Sequence, residues 1–244
     1  MVMGAAAKRV AVILAGGVGQ RFGGEIPKQY VKLQGVPIIM HSALTFDAMK
    51  AFDALVLVAR REEFGRLGEM VETAGLDSRV EMVEGGESRT ESSYRAVESL
   101  GIYEDTTEVL IHDAARPLMT EALAWRMLEA LNRFKAALPA VRSTDAIVEV
   151  QNNGTCAARR PRDAYRLVQT PQAFRLGVLR RAYREAFRRG AGSWDDDATV
   201  VSTFVPGVEV ACVEGEVENF KVTRREDVLL AEQVLSKRGR GGEA

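Results

Sequence analysis

The chain has 244 residues, 46% of them hydrophobic, with 33 Lys and Arg against 34 Asp and Glu and a formal net charge of −1. That length and apolar content suit one large α/β domain and exclude a disordered chain, while the balanced charge excludes a general nucleic-acid binder, so any basic site must be local. The first element is an apolar strand over residues 10–14, followed by a loop with glycines at 16, 17, 19, 23 and 24 and two cations, Arg21 and Lys28. Pro37 opens a helix carrying Ile38, Ile39, Ser42, Ala43 and Phe46. Residues 54–59 read as a second strand, 62–73 as a polar helix, and 80–83 as a short third strand ending at Glu84-Gly85-Gly86. Ser88-Arg89-Thr90-Glu91 is a capping box that starts the next helix. Residues 108–112 form a fourth strand running into Asp113, 122–137 have a helical pattern, and 140–142 form a short strand.

The alternation then breaks. Residues 146–150 alternate, Asn152-Asn153-Gly154 is a turn signal, and extended chain follows to Arg162, so a hairpin arm is expected over about 144–162. Gln169-Thr170-Pro171-Gln172 returns the chain to the body, 176–188 reads as an arginine-rich helix with a solvated face, and 208–213 as a late strand. Thr223-Arg224-Arg225-Glu226 is another capping box, opening a last helix to about Lys237, and 238–244 is expected to be a disordered tail. The alternation defines a doubly wound, mostly parallel α/β sheet in a single domain spanning 1–244.

Two histidines exclude a His-rich metal site, and Cys156 and Cys212 read as separate reduced thiols, which fits a cytoplasmic protein. No apolar run approaches the ~20 residues of a membrane span, and residues 1–9 carry no secretory signal.

In open α/β sheets ligands bind beyond the carboxyl ends of the strands. Three features fall there: the glycine loop, Gly85-Gly86 and Asp113. Glycine amides followed by fixed cations make a polyphosphate cradle. It is not a P-loop, which needs Gly-Lys-Ser/Thr, and Phe22 stands where a dinucleotide fingerprint needs its third glycine, which counts against a nicotinamide oxidoreductase. Gly85-Gly86 reads equally as a plain turn or a base-binding site, Asp113 as a helix cap or a site acid, and Ser92 as a solvent-facing serine or a base contact.

Gly-x-Gly-x-Arg followed by Pro27-Lys28-Gln29-Tyr30, with His112-Asp113-Ala114-Ala115-Arg116-Pro117, Gln169-Thr170-Pro171-Gln172 and Asn219-Phe220-Lys221-Val222-Thr223, resembles the 2-C-methyl-D-erythritol 4-phosphate cytidylyltransferase family over about residues 10–235. The resemblance implies a Rossmann-like nucleotidyltransferase fold, with CTP and a polyol phosphate as substrates, Mg²⁺ as cofactor and pyrophosphate as product. It also implies a homodimer, with the hairpin as its dimerisation arm. Ala15, Gly16 and Gly17 would wrap the CTP phosphates through their amides, and Gly86 and Ser92 would read the cytosine. Asp113 and Ala114 would lie in the ribose and metal region, with Asp113 and Glu218 as candidate metal ligands. Arg21 and Lys28 would stabilise the transition state. Thr144, Arg162, Thr170 and Lys221 would hold the sugar phosphate, Arg162 and Lys221 aiming it for attack. A phosphate nucleophile is ionised at neutral pH, so positioning and cations suffice without a general base.

The chain departs from the family pattern at Gly16, often alanine; at Glu87, commonly Asp; at Glu218, frequently Asp; and at Trp194-Asp195-Asp196-Asp197, a loose match to Thr-Asp-Asp/Glu. Leu14-Ala15-Gly16-Gly17 also occurs in ribitol-5-phosphate cytidylyltransferases, whereas Asp113-Ala114-Ala115-Arg116-Pro117 favours the erythritol enzyme. A non-catalytic nucleotide-binding protein is the remote alternative.

Overall fold

In β1 (Arg9–Leu14) every residue after Arg9 is apolar and buried. A strand apolar on both faces belongs where both faces are covered, at the centre of a sheet with helices on each side. The computed structural model, which describes residues 7–16, 22, 27–157, 161–190 and 192–240, places it there. A tight two-stranded ribbon follows, β2 (Lys32–Leu33) and β3 (Val36–Pro37), turned at Gln34 and Gly35, both at positive φ. Then come α1 (Ile38–Ala48), β4 (Ala54–Ala59), α2 (Phe64–Ala74), β5 (Val80–Glu84), α3 (Arg89–Ser99), β6 (Glu108–Asp113) and α4 (Glu121–Ala130). After them run β7 (Ala136–Arg142), β8 (Arg166–Val168), β9 (Gln172–Arg175), α5 (Leu176–Arg188), α6 (Asp197–Phe204), β10 (Val210–Glu214) and α7 (Arg225–Arg240).

The strand order is β10-β7-β9-β6-β1-β4-β5, with β8 paired to β7. β1 runs parallel to both β4 and β6, and β9 is an antiparallel insert between β6 and β7. Alternate β1 residues feed two cores. Ala11 and Ile13 meet Ile39, Phe46, Leu67, Leu123 and Met127 from α1, α2 and α4. Val10, Val12 and Leu14 meet Val97, Leu179, Tyr183 and Val201 from α3, α5 and α6. A third cluster, with Leu33, Ile38, Leu118, Val222 and Ala231, seats α7.

The structure corrects several expected elements. The helix read over 122–137 stops at Ala130, because Ala136 and Ala137, good helix formers, are buried as strand residues beside β9 and β10. The tail from 238 is helical to Arg240, and Arg238 donates to Leu118 O at 2.9 Å and to Glu218 Oε2 at 3.0 Å; residues 241–244 lie outside the described residues. Among the described residues the hairpin is reduced to one bridge, Val150 to Cys156, about a turn in which Thr155 N donates to Asn153 Oδ1. Its stem is instead the β7–β8 pair, Ala140 opposite Val168. The arginine-rich helix α5 does keep a charged face, but its other face buries Leu179, Ala182, Tyr183 and Ala186. At the start of α7, Thr223 N and Arg224 N donate to Asp227, one residue beyond the expected Glu226.

Candidate active site

The chain leaves β1 to build β4 and β5 on one side and then returns to build β6 on the other. This makes the carboxyl end of β1 the topological switch point of the sheet. A cleft of about 620 Å³ opens there, lined by Ala15, Gly16, Gly86, Ser92, Asp113 and Ala114 among others. Its wall carries Lys28, Arg60, Arg89 and Lys221 against Glu87 and Asp113. That surplus of cations suits a polyanionic ligand.

Asp113 ends β6 directly opposite Leu14 in register. Its Oδ1 accepts from Arg89 Nε at 3.0 Å and its Oδ2 from Lys221 Nζ at 2.7 Å. Burial opposes its charge, yet Arg89 and Lys221 outweigh burial and hold the carboxyl well below the usual carboxylate range. It does not cap a helix, since Thr120 caps α4.

Behind Asp113 lies a buried chain of hydrogen bonds with a defined direction. His112 Nε2 sits 3.0 Å from Arg116 O, a carbonyl that can only accept, so Nε2 carries the proton. Nδ1 must then accept, and its partner at 3.0 Å is the Thr170 hydroxyl. The Thr170 oxygen in turn accepts from Asp113 N at 3.0 Å. Burial lowers the His112 pKa to about 4, so the ring is neutral at physiological pH. Asn219 Nδ2 donates to Thr170 O at 2.8 Å, and Arg116 Nη1 donates to Asn219 O at 2.8 Å. The backbone of Asp113 is thereby locked to the loops after β8 and β10.

The loop after β5 is gripped by α3. Ser88 caps the helix by accepting from Glu91 N at 3.0 Å. Glu91 Oε2 does not return to the cap residue but accepts from Glu87 N at 2.9 Å. Arg95 holds Glu91 at 2.7 Å and also donates to Gly85 O at 2.9 Å. Ser92 is buried, not solvent-facing, and its hydroxyl accepts from Gly86 N at 3.1 Å. A Cβ on Gly86 would fall 2.3 Å from the Glu91 side chain, so the tight packing requires glycine.

The cleft brings together Ala15, Gly16, Lys28, Gly86, Ser92, Asp113, Ala114 and Lys221 of the expected site residues. Some of their expected contacts change. The Ala15 amide donates to Val58 O at 2.7 Å and the Gly86 amide to Ser92, so neither is available to a ligand. Thr170 lies behind the wall with its hydroxyl proton committed to His112, where it supports Asp113 and does not face the cleft. Glu218 does not line the cleft and pairs with Arg238. Thr144 and Arg162 are exposed away from this cleft, Arg162 Nη1 reaching Thr144 O at 3.4 Å. Arg21 and Gly17 lie outside the described residues. Sequence reasoning missed Arg60, Glu91, Arg95 and above all Arg89, whose partner Asp197 is 108 residues away. Only the capping box beside Arg89 marked that segment.

A switch-point cleft walled by Gly16, an acid at the end of the neighbouring strand and converging cations is the arrangement of a nucleotide-binding α/β protein, and it fits the nucleotidyltransferase class. The profile of 2-C-methyl-D-erythritol 4-phosphate cytidylyltransferase (IspD) matches residues 9–237. The chain belongs to that family. It is 37% identical over 229 residues to the 2-C-methyl-D-erythritol 4-phosphate cytidylyltransferase of Thermobifida fusca, covering 92% of each. It is 32% identical to the bifunctional ribulose 5-phosphate reductase/CDP-ribitol pyrophosphorylase Bcs1 of Haemophilus influenzae, covering 95% of this chain and 49% of that one. A crystal structure of 4-diphosphocytidyl-2C-methyl-D-erythritol synthase from Anaerococcus prevotii superposes with a TM-score of 0.82 at 26% identity, covering 94% and 99% of the two chains.

Proposed function

We propose that the protein transfers the cytidylyl group of CTP to 2-C-methyl-D-erythritol 4-phosphate in isoprenoid precursor synthesis. A phosphate oxygen of the polyol attacks the α-phosphorus, the bond to the β-phosphate breaks, and pyrophosphate leaves. The observation that carries this reading is the cation-rich cleft around Asp113 at the switch point of a chain of this family. Lys28 lines the cleft, where it would meet the charge that grows on the transferring phosphoryl group, and the family resemblance gives Arg21 the same role. Lys221, fixed by Asp113, offers its remaining ammonium protons to the incoming phosphate.

The base site discriminates by what remains unpaired. With the Gly86 amide spent on Ser92, a base at Gly86 would be read through a carbonyl acceptor, which would suit the amino group of cytosine and repel the carbonyl of uracil. Steady-state turnover should therefore favour CTP over UTP, ATP and GTP, and equal rates with UTP would contradict the assignment.

Mg²⁺ fits as a cofactor brought by the triphosphate. It takes oxygen ligands and keeps few from protein. Of the two candidate ligands, Asp113 is the one that lines the cleft and would share the ion, and among the described residues no group of three metal-ligating side chains exists. When bound, the ion neutralises phosphate charge.

Thr144 and Arg162 fit a shared site in a homodimer, each arm entering its neighbour's cleft. Exposed Val148, Val150, Leu167 and Val168 on the arm and its stem offer the apolar surface for that contact. A cytoplasmic location accords with the exposed, unpaired Cys156 and Cys212.

A pyrophosphate-release assay with CTP and each polyol phosphate tests the function. Turnover with methylerythritol phosphate is expected. Turnover with ribitol phosphate alone would move the protein to the CDP-ribitol branch, and nucleotide binding without turnover would make it a non-catalytic binder.

A further inference from the structure

Asp197 and Tyr183 are fully buried polar residues on α6 and α5, outside the cleft lining and with no role in the transfer described above. Arg89 connects them to the site. Its Nε donates to Asp113 at 3.0 Å and its Nη2 to Asp197 Oδ2 at 2.8 Å, while the Tyr183 hydroxyl donates to Asp197 Oδ1. Four charges therefore alternate in one line, Lys221, Asp113, Arg89 and Asp197, with the tyrosine closing the far end.

We propose that Asp197, backed by Tyr183, is a positioning residue that acts through Arg89 to fix the Asp113 carboxylate and, through it, Lys221 at the reacting phosphates. The proposal rests on the transfer reading above. Three observations carry it. Arg89 touches both carboxylates through two different nitrogens of one planar fork, Nε and Nη2, where a lysine would bring a single ammonium. Asp197 is completely buried, so its charge is costly unless Arg89 uses it. Asp196, the neighbouring acid, already caps α6 by accepting from Thr199 N, which leaves Asp197 unneeded for capping. Without Asp197, the Arg89 guanidinium loses its anchor and can rotate away from Asp113 into the cleft.

The test is a double-mutant cycle on kcat together with crystal structures. Asp197→Asn keeps the shape and removes the charge; it should lower kcat at least roughly tenfold while the KM for CTP moves less than about threefold. Arg89→Lys should be as impaired, and adding Asp197→Asn to it should cost little more, since both changes break the same connection. Additive losses in log kcat would overturn the proposal, because an effect of Asp197 on folding alone would be the same in either background. Should Asp197→Asn fail to fold, Tyr183→Phe takes its place in the cycle with a smaller loss and the same coupling. Structures of the wild type and Asp197→Asn read the proposal without turnover: the Arg89–Asp113 contact should be lost in the variant, and its persistence would overturn it. If the wild type lacks transferase activity, the functional reading fails, and the paired structures still decide the positioning role.

Discussion

At the rim of the sheet Asp113 and Ser92 are held from behind, whereas among the described residues the arm between β7 and β8 holds Arg162 and Thr144 almost by nothing. Asp113 has a cation on each oxygen and a threonine on its amide. Arg162 has one long contact with a neighbouring carbonyl, and Thr144 is exposed. The difference matches two tasks. Charge stabilisation at phosphorus demands groups fixed before the substrate arrives, because donors that must reorganise stabilise less. The arm proposed to enter a second subunit's cleft would complete its geometry only there, and an isolated two-stranded hairpin is marginal in water.

The largest expected effect breaks the rim. Arg21→Ala and Lys28→Ala should each lower kcat by an amount equivalent to about 2.7–4 kcal/mol while CTP still binds, as for the loss of one donor to developing charge. A rise in KM with kcat preserved would mark the residue as a uniform binding contact.

Next comes the support behind the rim. Thr170→Val removes the hydroxyl and strands Asp113 N and His112 Nδ1, each at about 1–3 kcal/mol. The melting temperature should fall by about 2–4 °C per kcal/mol lost, and Thr170→Ser should restore it. An unchanged melting temperature would show that the chain of hydrogen bonds contributes nothing.

The same support predicts a pH dependence. The folded His112 pKa is depressed to about 4 from 6.5. The unfolded chain therefore takes up a proton below pH 6.5 that the folded one refuses, so stability is full above 6.5 and is lost as pH falls toward 4. Urea unfolding should show about 2 kcal/mol less stability at pH 5 than at pH 7.5. Burial also lowers the His41 pKa, so it adds a loss of the same sign, and the part that survives in His41→Gln belongs to His112. The depressed aspartates, Asp113 among them, titrate below 3.8 and do not enter this window.

The arm is sharpened by mixing. Arg162→Ala should be nearly inactive yet melt like the wild type. Arg21→Ala and Arg162→Ala subunits, combined after verified exchange, should recover about a quarter of all sites if random pairing of two-fold dimers joins an intact body to an intact arm. No recovery would return the arm to its own subunit. The smallest effect is expected at Glu218, whose exposed pair with Arg238 lies off the cleft. Glu218→Ala should leave the Mg²⁺ dependence of the rate unchanged and shift stability by less than about 1 kcal/mol; a raised Mg²⁺ requirement would restore it as a ligand.

Much of the fold was legible. The apolar runs of β1 and β4 could only be interior strands, and Ser88 before a helical pattern could only cap it. The cleft lining was legible where it is local, at Gly16, Lys28 and Asp113. What stayed hidden was whatever required knowing a distant partner. Ala136 and Ala137 became strand because β9 inserts beside them. The Ala15 amide was spent because Val58 lies next to it in the sheet.

By itself the sequence determined the alternating elements, the rim on which the ligand-binding loops fall and the family to which the chain belongs. Each of these is carried by periodicity, glycine placement or motif order, which act over a few residues at a time. Only the tertiary structure decided which groups remain free to bind. It set Arg89 between Asp113 and Asp197, turned Thr170 inward to His112 and spent the Gly86 amide on Ser92. A side chain's free donors and acceptors are those its neighbours leave unpaired, and the neighbours are chosen by topology.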